Sequence, residues 1–114
     1  MAFPLQIAFR NMDASTAAEA LVRQRTAELE QYSDRISGCR VVLDCVHPQN
    51  PLGRLYTVRI DLTVPGGSIV VNRGPGSDHA HDDLPVAIRD AFDTARRKLQ
   101  AHRTSAARYA RGKA

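Results

Sequence analysis

A row of arginines near the end of the chain has the spacing to bind a phosphate backbone. Arg89, Arg96 and Arg103 recur every seven residues, and Arg97 stands beside Arg96. In a helix that turns ~100° per residue, these side chains share one flank and repeat about every 10 Å. A guanidinium group can direct two N–H donors to a phosphate, and it can also stack on an unpaired base. The spacing therefore predicts an RNA-binding row of arginines.

The row belongs to a strongly basic part of the chain. Residues 84–114 hold eight Lys or Arg and two Asp, a local charge of +6, whereas the other 83 residues sum to −2. The net charge of +4 is thus concentrated in one segment instead of being spread evenly. Such an asymmetry is typical of a surface that binds a polyanion, and nucleic acid is the first candidate.

Three further basic residues are candidates for the same surface. Arg25 falls on the apolar stripe of the first predicted helix, so its side chain must reach out between the two helices, where a phosphate could be its partner. Arg23 and Lys98 are weaker candidates on helix flanks. The alternative for each of these charges is an ordinary solvated helix face. Arg40 and Arg59 alternate with acidic residues on strands, which favours a solvated surface there.

Metal and catalytic chemistry have little support in the sequence. The segment His79-Ala80-His81-Asp82-Asp83 superficially has metal-ligand spacing, but no distant His or acidic cluster completes such a site. Cys39 and Cys45 lie roughly 20 Å apart if they share a strand, too far to pair, and we expect both to be buried or half-buried. No nucleophile–base pair is indicated. We therefore expect no enzyme activity, no metal, no cofactor and no small-molecule substrate.

Hydrophobic periodicity predicts the elements that position these residues. Period-two alternation predicts strands, and stripes at helical spacing predict two amphipathic helices. Asp13, Ser15 or Thr16 could cap the first helix, with Thr16 and Glu19 spaced as a capping box, and Asp83 could cap the second. The predicted order is a strand at about 5–10, a helix at 16–32, strands at 39–46, 55–64 and 69–73, and a helix from about 84 to 103.

This β-α-β-β-β-α order predicts an α+β fold, a two-layer sandwich in which two helices cover one face of a four-stranded mixed sheet. We expect one domain over residues 1–103 and a flexible basic tail over 104–114. No apolar run is long enough for a membrane span, and no signal peptide is recognisable, so a cytoplasmic location without membrane contact is the default expectation.

Three segments in order resemble one known family. LEQYSDRI at 29–36, VPGGSIVV at 64–71 and HAHDDLPVAIRDAFDTARRKL at 79–99 are similar to the signatures of the bacterial ribosome hibernation-promoting factors, also called ribosome-associated inhibitors or sigma-54 modulation proteins. The resemblance, to a short form, implies a fold like that of double-stranded-RNA-binding domains. It further implies binding to the small ribosomal subunit at the decoding region, against 16S rRNA, by a protein that is monomeric off the ribosome.

The implied function is to block mRNA and tRNA binding and so inhibit translation under stress. The resemblance also implies that His81 lies near the RNA-facing surface at the start of the second helix, where its protonated ring could contact phosphate. Pro85 departs from the family pattern, which usually has Tyr there. Two alternatives stay open from the residues alone: a free-standing double-stranded RNA-binding domain, and a protein-interaction module that recruits a partner strand at a sheet edge.

Overall fold

The computed structural model describes residues 3–32, 35–46, 55–73 and 83–113, without the side chains of residue 73 and residues 103–113. Six elements follow one another in the predicted order, β-α-β-β-β-α. Their bounds are β1 Leu5–Arg10, α1 Thr16–Leu29, β2 Gly38–Val46, β3 Leu55–Val64, β4 Gly67–Arg73 and α2 Leu84–Lys113. The predicted α+β class and the strand positions are confirmed.

The sheet has the strand order β1-β2-β3-β4 and is mixed, because β1 runs parallel to β2 and the other neighbours are antiparallel. One row of paired residues crosses all four strands, from Ile7 through Val41 and Ile60 to Val71. The last three of these side chains are almost completely buried. Since side chains alternate along a strand, this row marks the face that the helices cover, and the neighbouring row marks the open face.

The β3–β4 hairpin closes through a two-residue connection, because Val64 pairs with Gly67. Pro65 supplies a fixed φ at the first connecting position, and Gly66 adopts φ +85° at the second. That backbone conformation is in the left-handed region, where glycine has no steric penalty. The Pro-Gly-Gly turn predicted from the sequence is therefore confirmed, with β4 beginning at Gly67 instead of Ile69.

Helix α2 packs on the sheet through one continuous apolar stripe. Ile88, Ala91, Ala95 and Leu99 have no exposed surface, and Phe92 is almost as deeply buried. Burying a side chain as large as Ile or Leu stabilises the fold by about 1.5–3 kcal/mol. Asp83 caps the helix as predicted: its carboxylate accepts from the backbone N–H of Val86 at 3.2 Å, and its carbonyl accepts from Ala87.

Helix α1 begins at Thr16, as predicted, but its capping and its end differ from the prediction. Ser15 is the N-cap, since its backbone is extended and its hydroxyl accepts from the N–H of Ala18 at 3.1 Å; the Thr16–Glu19 capping box is wrong, because Thr16 already lies in the helix. The helix ends at Leu29, not Tyr32. The backbone then tightens into turns in which Tyr32 donates to the carbonyl of Leu29.

Helix α2 is longer than the prediction of an end near residue 103, since its backbone continues through Lys113. No proline or glycine interrupts residues 104–111, and Ala and Arg are strong helix formers. The flexibility of residues 104–114 stays a prediction, and the side chains there are outside the described part. Across the described residues, no helix combines the length and apolar character that a membrane span needs.

Candidate nucleic-acid interface

An open groove runs between α1 and α2 on the surface away from the sheet. Its volume is about 290 Å³. Leu29 and Phe92, both core residues, contribute apolar surface to it, and the polar side chains come from both helices. The full set of lining residues is Arg25, Glu28, Leu29, Gln31, Tyr32, Phe92, Asp93 and Arg96. Two of the predicted RNA-binding residues, Arg25 and Arg96, thus meet in one groove although 71 positions separate them.

The side chain of Arg96, on α2, contacts the aromatic ring of Tyr32, which follows the end of α1. Its guanidinium carbon lies 5.8 Å from the centre of the Tyr32 ring, a cation–π contact. The side chain is half-buried, and its Nε atom is buried without a hydrogen-bond partner in the described part of the protein. Such an unsatisfied donor costs about 1–3 kcal/mol.

Arg25 shares this property from the opposite wall. Its Nη1 donates to Glu28 Oε2 at 3.1 Å, yet its buried Nε has no partner among the described residues. The side chain is 28% exposed, so the guanidinium emerges from between the helices, as its place on the apolar stripe of α1 predicts. The groove is therefore lined by two guanidinium groups whose buried Nε atoms have no partner among the described residues.

The charges in the groove balance. Two arginines, Arg25 and Arg96, are matched by two carboxylates, Glu28 and Asp93, so the lining residues have no net formal charge. Asp93 has the i±3 or i±4 spacing to pair with Arg89, Arg96 or Arg97. In the described residues, however, no ion pair joins Asp93 to any of them. The side chain of Asp93 is exposed.

Arg89 and Arg97 are both exposed on α2, outside the groove itself. Arg97 donates from Nη2 to the hydroxyl of Thr94 at 3.3 Å, which orients its guanidinium without neutralising it. The seven-residue spacing predicts a row of arginines along one helix. The backbone agrees, because Arg89, Arg96 and Arg103 all lie within α2. The Arg103 side chain lies outside the described residues, as does all of His81.

Two of the weaker candidates are engaged elsewhere. Arg23 forms an exposed ion pair with Glu19 at 2.9 Å along α1. Lys98 lies on the flank of α2 next to the sheet, and its ammonium group donates to the carbonyl of Val70 on the edge strand β4 at 2.9 Å. Neither residue lines the groove. The Val70 carbonyl, one of the acceptors that a partner strand would need, is therefore already occupied.

The open face of the sheet also has arginines, and one of them, Arg59, has an acidic partner there. Arg59 donates to Asp61 at 3.2 Å, and Arg40 stands opposite Asp61 in the strand register. Asp44 accepts instead from the side-chain amide of Asn11 at 2.9 Å. These contacts are exposed or partly exposed, and they fit the solvated surface that the sequence predicts.

The described residues give little support for a metal site or a catalytic cysteine. They contain no group of three or more His, Cys, Asp or Glu that could hold a metal ion, and most of the His79–Asp83 segment lies beyond them. Both cysteines are buried and free. Burial raises the pKa of the Cys39 thiol to about 12, against an ordinary value of 9.0, although a hydrogen bond with Thr26 acts in the opposite direction. Cys39 is therefore a poor nucleophile.

Sequence reasoning missed the role of Tyr32. Its place on the apolar stripe of α1 suggested a core residue, whereas in the structure it is half-buried beyond the end of the helix with its ring against Arg96. Thr26 was also missed, as a completely buried polar residue whose hydroxyl donates to the carbonyl of Val22. An aromatic residue seven positions after Arg25 is a signal that could have indicated a shared surface, since i and i+7 lie on one helix face.

Comparisons with known proteins agree with this architecture. A ribosome hibernation promotion factor of Deinococcus radiodurans is 29% identical over 99 residues, which cover 87% of this chain and 48% of that protein. The chain thus spans about half the length of this curated relative. The fold is similar to that of the Thermus thermophilus Protein Y N-terminal domain, with a TM-score of 0.67, 23% identity, and coverage of 85% of this chain and 94% of that one.

A ribosomal subunit interface protein from Coxiella burnetii has the same fold, with a TM-score of 0.69, 17% identity, and coverage of 90% of this chain and 99% of that one. At these identities the two solved structures establish the fold. The family profile described as sigma 54 modulation protein / S30EA ribosomal protein matches residues 5–106, most of the chain. Together with the six elements in their predicted order, this match shows that the chain belongs to the sigma 54 modulation protein / S30EA ribosomal protein family.

Proposed function

We propose that this protein is a ribosome hibernation factor, which binds the small ribosomal subunit at the decoding region and contacts 16S rRNA through the α1–α2 face. Occupying that region excludes mRNA and tRNA, so translation stops without any catalytic step. The family match and the name of the Deinococcus relative support a role at the ribosome. In this proposal residues 1–103 form the binding domain, and the protein acts in the cytoplasm as a monomer when it is off the ribosome.

The observation on which the proposal rests is the pair of arginine side chains that line the α1–α2 groove together. Arg25 and Arg96 each have a buried Nε without a partner in the described structure. RNA supplies acceptor oxygens along its backbone and on its bases, and arginine binds both. Exposed Arg89 and Arg97 extend the basic surface along α2. Arg103, His81, Arg23 and Lys98 stay candidates for peripheral contacts, with Lys98 placed at the sheet edge.

Sedimentation through a sucrose gradient tests the proposal. The purified protein is expected to travel with small subunits and to displace a labelled mRNA fragment from them. If about five phosphates are neutralised, the logarithm of the binding constant should fall against the logarithm of salt concentration with a slope of about −4. Absence of the protein from the small-subunit fractions at low salt would contradict the proposed function.

A charge reversal identifies the surface. The double variant R96E/R97E should lose measurable cosedimentation, because two exposed or half-buried positive charges become negative. Circular dichroism and thermal unfolding should match the wild type, since neither side chain is in the core. Normal cosedimentation of this variant would show that RNA binds elsewhere on the protein.

A plain A-form RNA duplex in the same assay distinguishes the ribosome from double-stranded RNA in general. The proposal predicts that a large excess of duplex leaves the protein on the small subunits. Equal competition by the duplex would favour a free-standing double-stranded RNA-binding domain. Binding that resists both salt and nuclease would favour the sheet-edge interaction module instead.

A further inference from the structure

The balanced charge of the α1–α2 groove is unexpected for a site that binds only phosphate. Phosphate oxygens are acceptors, so the carboxylates of Glu28 and Asp93 would repel them. Glu28 is accounted for by its ion pair with Arg25. Asp93 is exposed, lines the groove, and forms no ion pair within the described part of the chain. The groove therefore offers an exposed carboxylate, Asp93, about one helical turn from the half-buried guanidinium of Arg96.

A nucleobase can use a donor and an acceptor at once, and guanine fits this pair best. Its O6 and N7 atoms are adjacent acceptors that a guanidinium group binds in a bidentate manner. Its Watson–Crick edge has two adjacent donors, N1–H and the 2-amino group, which match the two oxygens of a carboxylate. Unpaired bases in RNA are bound through such edges in proteins that read single strands.

We infer that the α1–α2 groove holds one unpaired guanine of the bound RNA, with Arg96 donating to O6 and N7 and Asp93 accepting from N1–H and the 2-amino group. The inference rests on the proposed RNA-binding function and adds a base preference to it. Tyr32 fixes the Arg96 guanidinium from the other side, so little side-chain freedom is lost on binding. Arg25, on the facing wall, is left to bind the adjoining phosphate.

A groove that bound phosphate alone would respond in the opposite way to loss of the Asp93 charge. Removing a carboxylate near two arginines strengthens their attraction for any phosphate. Removing a carboxylate that accepts from guanine weakens binding of guanine relative to the other bases. The direction of the change therefore separates the two accounts.

The test uses three labelled RNA probes of equal length and charge: hexauridine, the same oligonucleotide with one central guanosine, and the same with inosine in its place. Inosine is guanosine without the 2-amino group. The wild-type protein should bind the guanosine probe at least about fivefold more tightly than the other two at low salt. Equal binding of all three probes, or no binding of any, would overturn the inference even if cosedimentation with small subunits is normal.

The variant Asp93→Asn should lose the preference for guanosine over inosine and should bind hexauridine as tightly as the wild type or more tightly. The matched control is Asp13→Asn, an exposed change of the same charge outside the groove, which should retain the preference. If Asp93→Asn keeps the guanosine preference, Asp93 does not bind the base and the inference is wrong; if it binds every probe more tightly, the groove binds phosphate alone. A wild-type protein that binds the guanosine probe selectively but does not travel with small subunits would instead refute the proposed ribosomal function.

Discussion

The two faces of this protein both display arginines, but the surroundings of these arginines differ. On the open sheet face Arg59 is paired with Asp61, and Arg40 stands beside the same carboxylate. In the α1–α2 groove Arg25 and Arg96 keep buried Nε donors without partners among the described residues. The difference shows that the number of basic residues does not locate a binding surface. What distinguishes the groove is that packing between the helices holds its arginine side chains in place although their Nε atoms have no hydrogen-bond partner among the described residues.

The covered face can be probed through the Cys39 thiol, which should show the largest effect. With a pKa of about 12 in place of 9.0, its thiolate fraction at pH 8 falls about a thousandfold. Modification of Cys39 by a thiol reagent, quantified by peptide mass spectrometry, should therefore be at least that much slower in the folded protein than in urea. Comparable rates would show that the helices lift from the sheet.

The raised pKa of Cys39 also predicts that the free energy of unfolding depends on pH. Because the folded pKa lies above the unfolded one, the unfolded chain loses its thiol proton first as pH rises. The contribution of Cys39 to stability should be fully present below pH 9 and should be lost as the pH rises to about 12. Urea unfolding of the wild type and of Cys39→Ala across this range measures it, and parallel curves for the two proteins would contradict the prediction.

Replacing the aromatic wall of the groove should have an intermediate effect. Tyr32→Leu removes the ring that orients Arg96, and we expect binding to small subunits to weaken by about fivefold, the equivalent of one cation–π contact. Tyr32→Phe keeps the ring and serves as the matched control, with binding close to that of the wild type. Equal losses in both variants would assign the effect to the hydroxyl group instead of the ring.

The smallest effect should come from freeing Arg25. Glu28→Gln removes its ion-pair partner, and RNA binding should tighten by about twofold, since an exposed pair contributes only about 0–1 kcal/mol. Glu19→Gln makes the same charge change on the same helix, at the Arg23 pair outside the groove. Filter binding of both variants should show a smaller change for Glu19→Gln. An equal gain in both would reflect net charge alone.

Much of the scaffold could be predicted from the sequence, because its signals are local. The alternation from Leu55 to Val64 defines β3, and the apolar stripe with Asp83 defines the start and the buried face of α2. Helix ends were harder: Ser15 and Thr16 are both good caps, and only the backbone of Ser15 decides between them. The extent of α2 was underestimated because small and basic residues have weak periodicity but high helix propensity.

The sequence predicted some residues of the site but not how they are arranged in space. Spacing indicated Arg96 and Arg97, and the apolar stripe indicated that Arg25 would reach out between the helices. The contact between Tyr32 and Arg96 joins positions 64 residues apart, so no local pattern contains it. The missing partners of two Nε atoms depend on packing between helices, as does the engagement of Lys98 by the β4 edge.

The most direct test compares two double variants that remove the same charge from opposite faces. R25Q/R96Q and R40Q/R59Q each lower the net charge from +4 to +2, the first in the groove and the second on the open sheet face. Cosedimentation with small subunits at one fixed salt concentration should weaken by at least about tenfold for the groove variant and by less than about twofold for the sheet variant. Equal losses in the two variants would contradict the central claim, because binding would then follow net charge and not the groove.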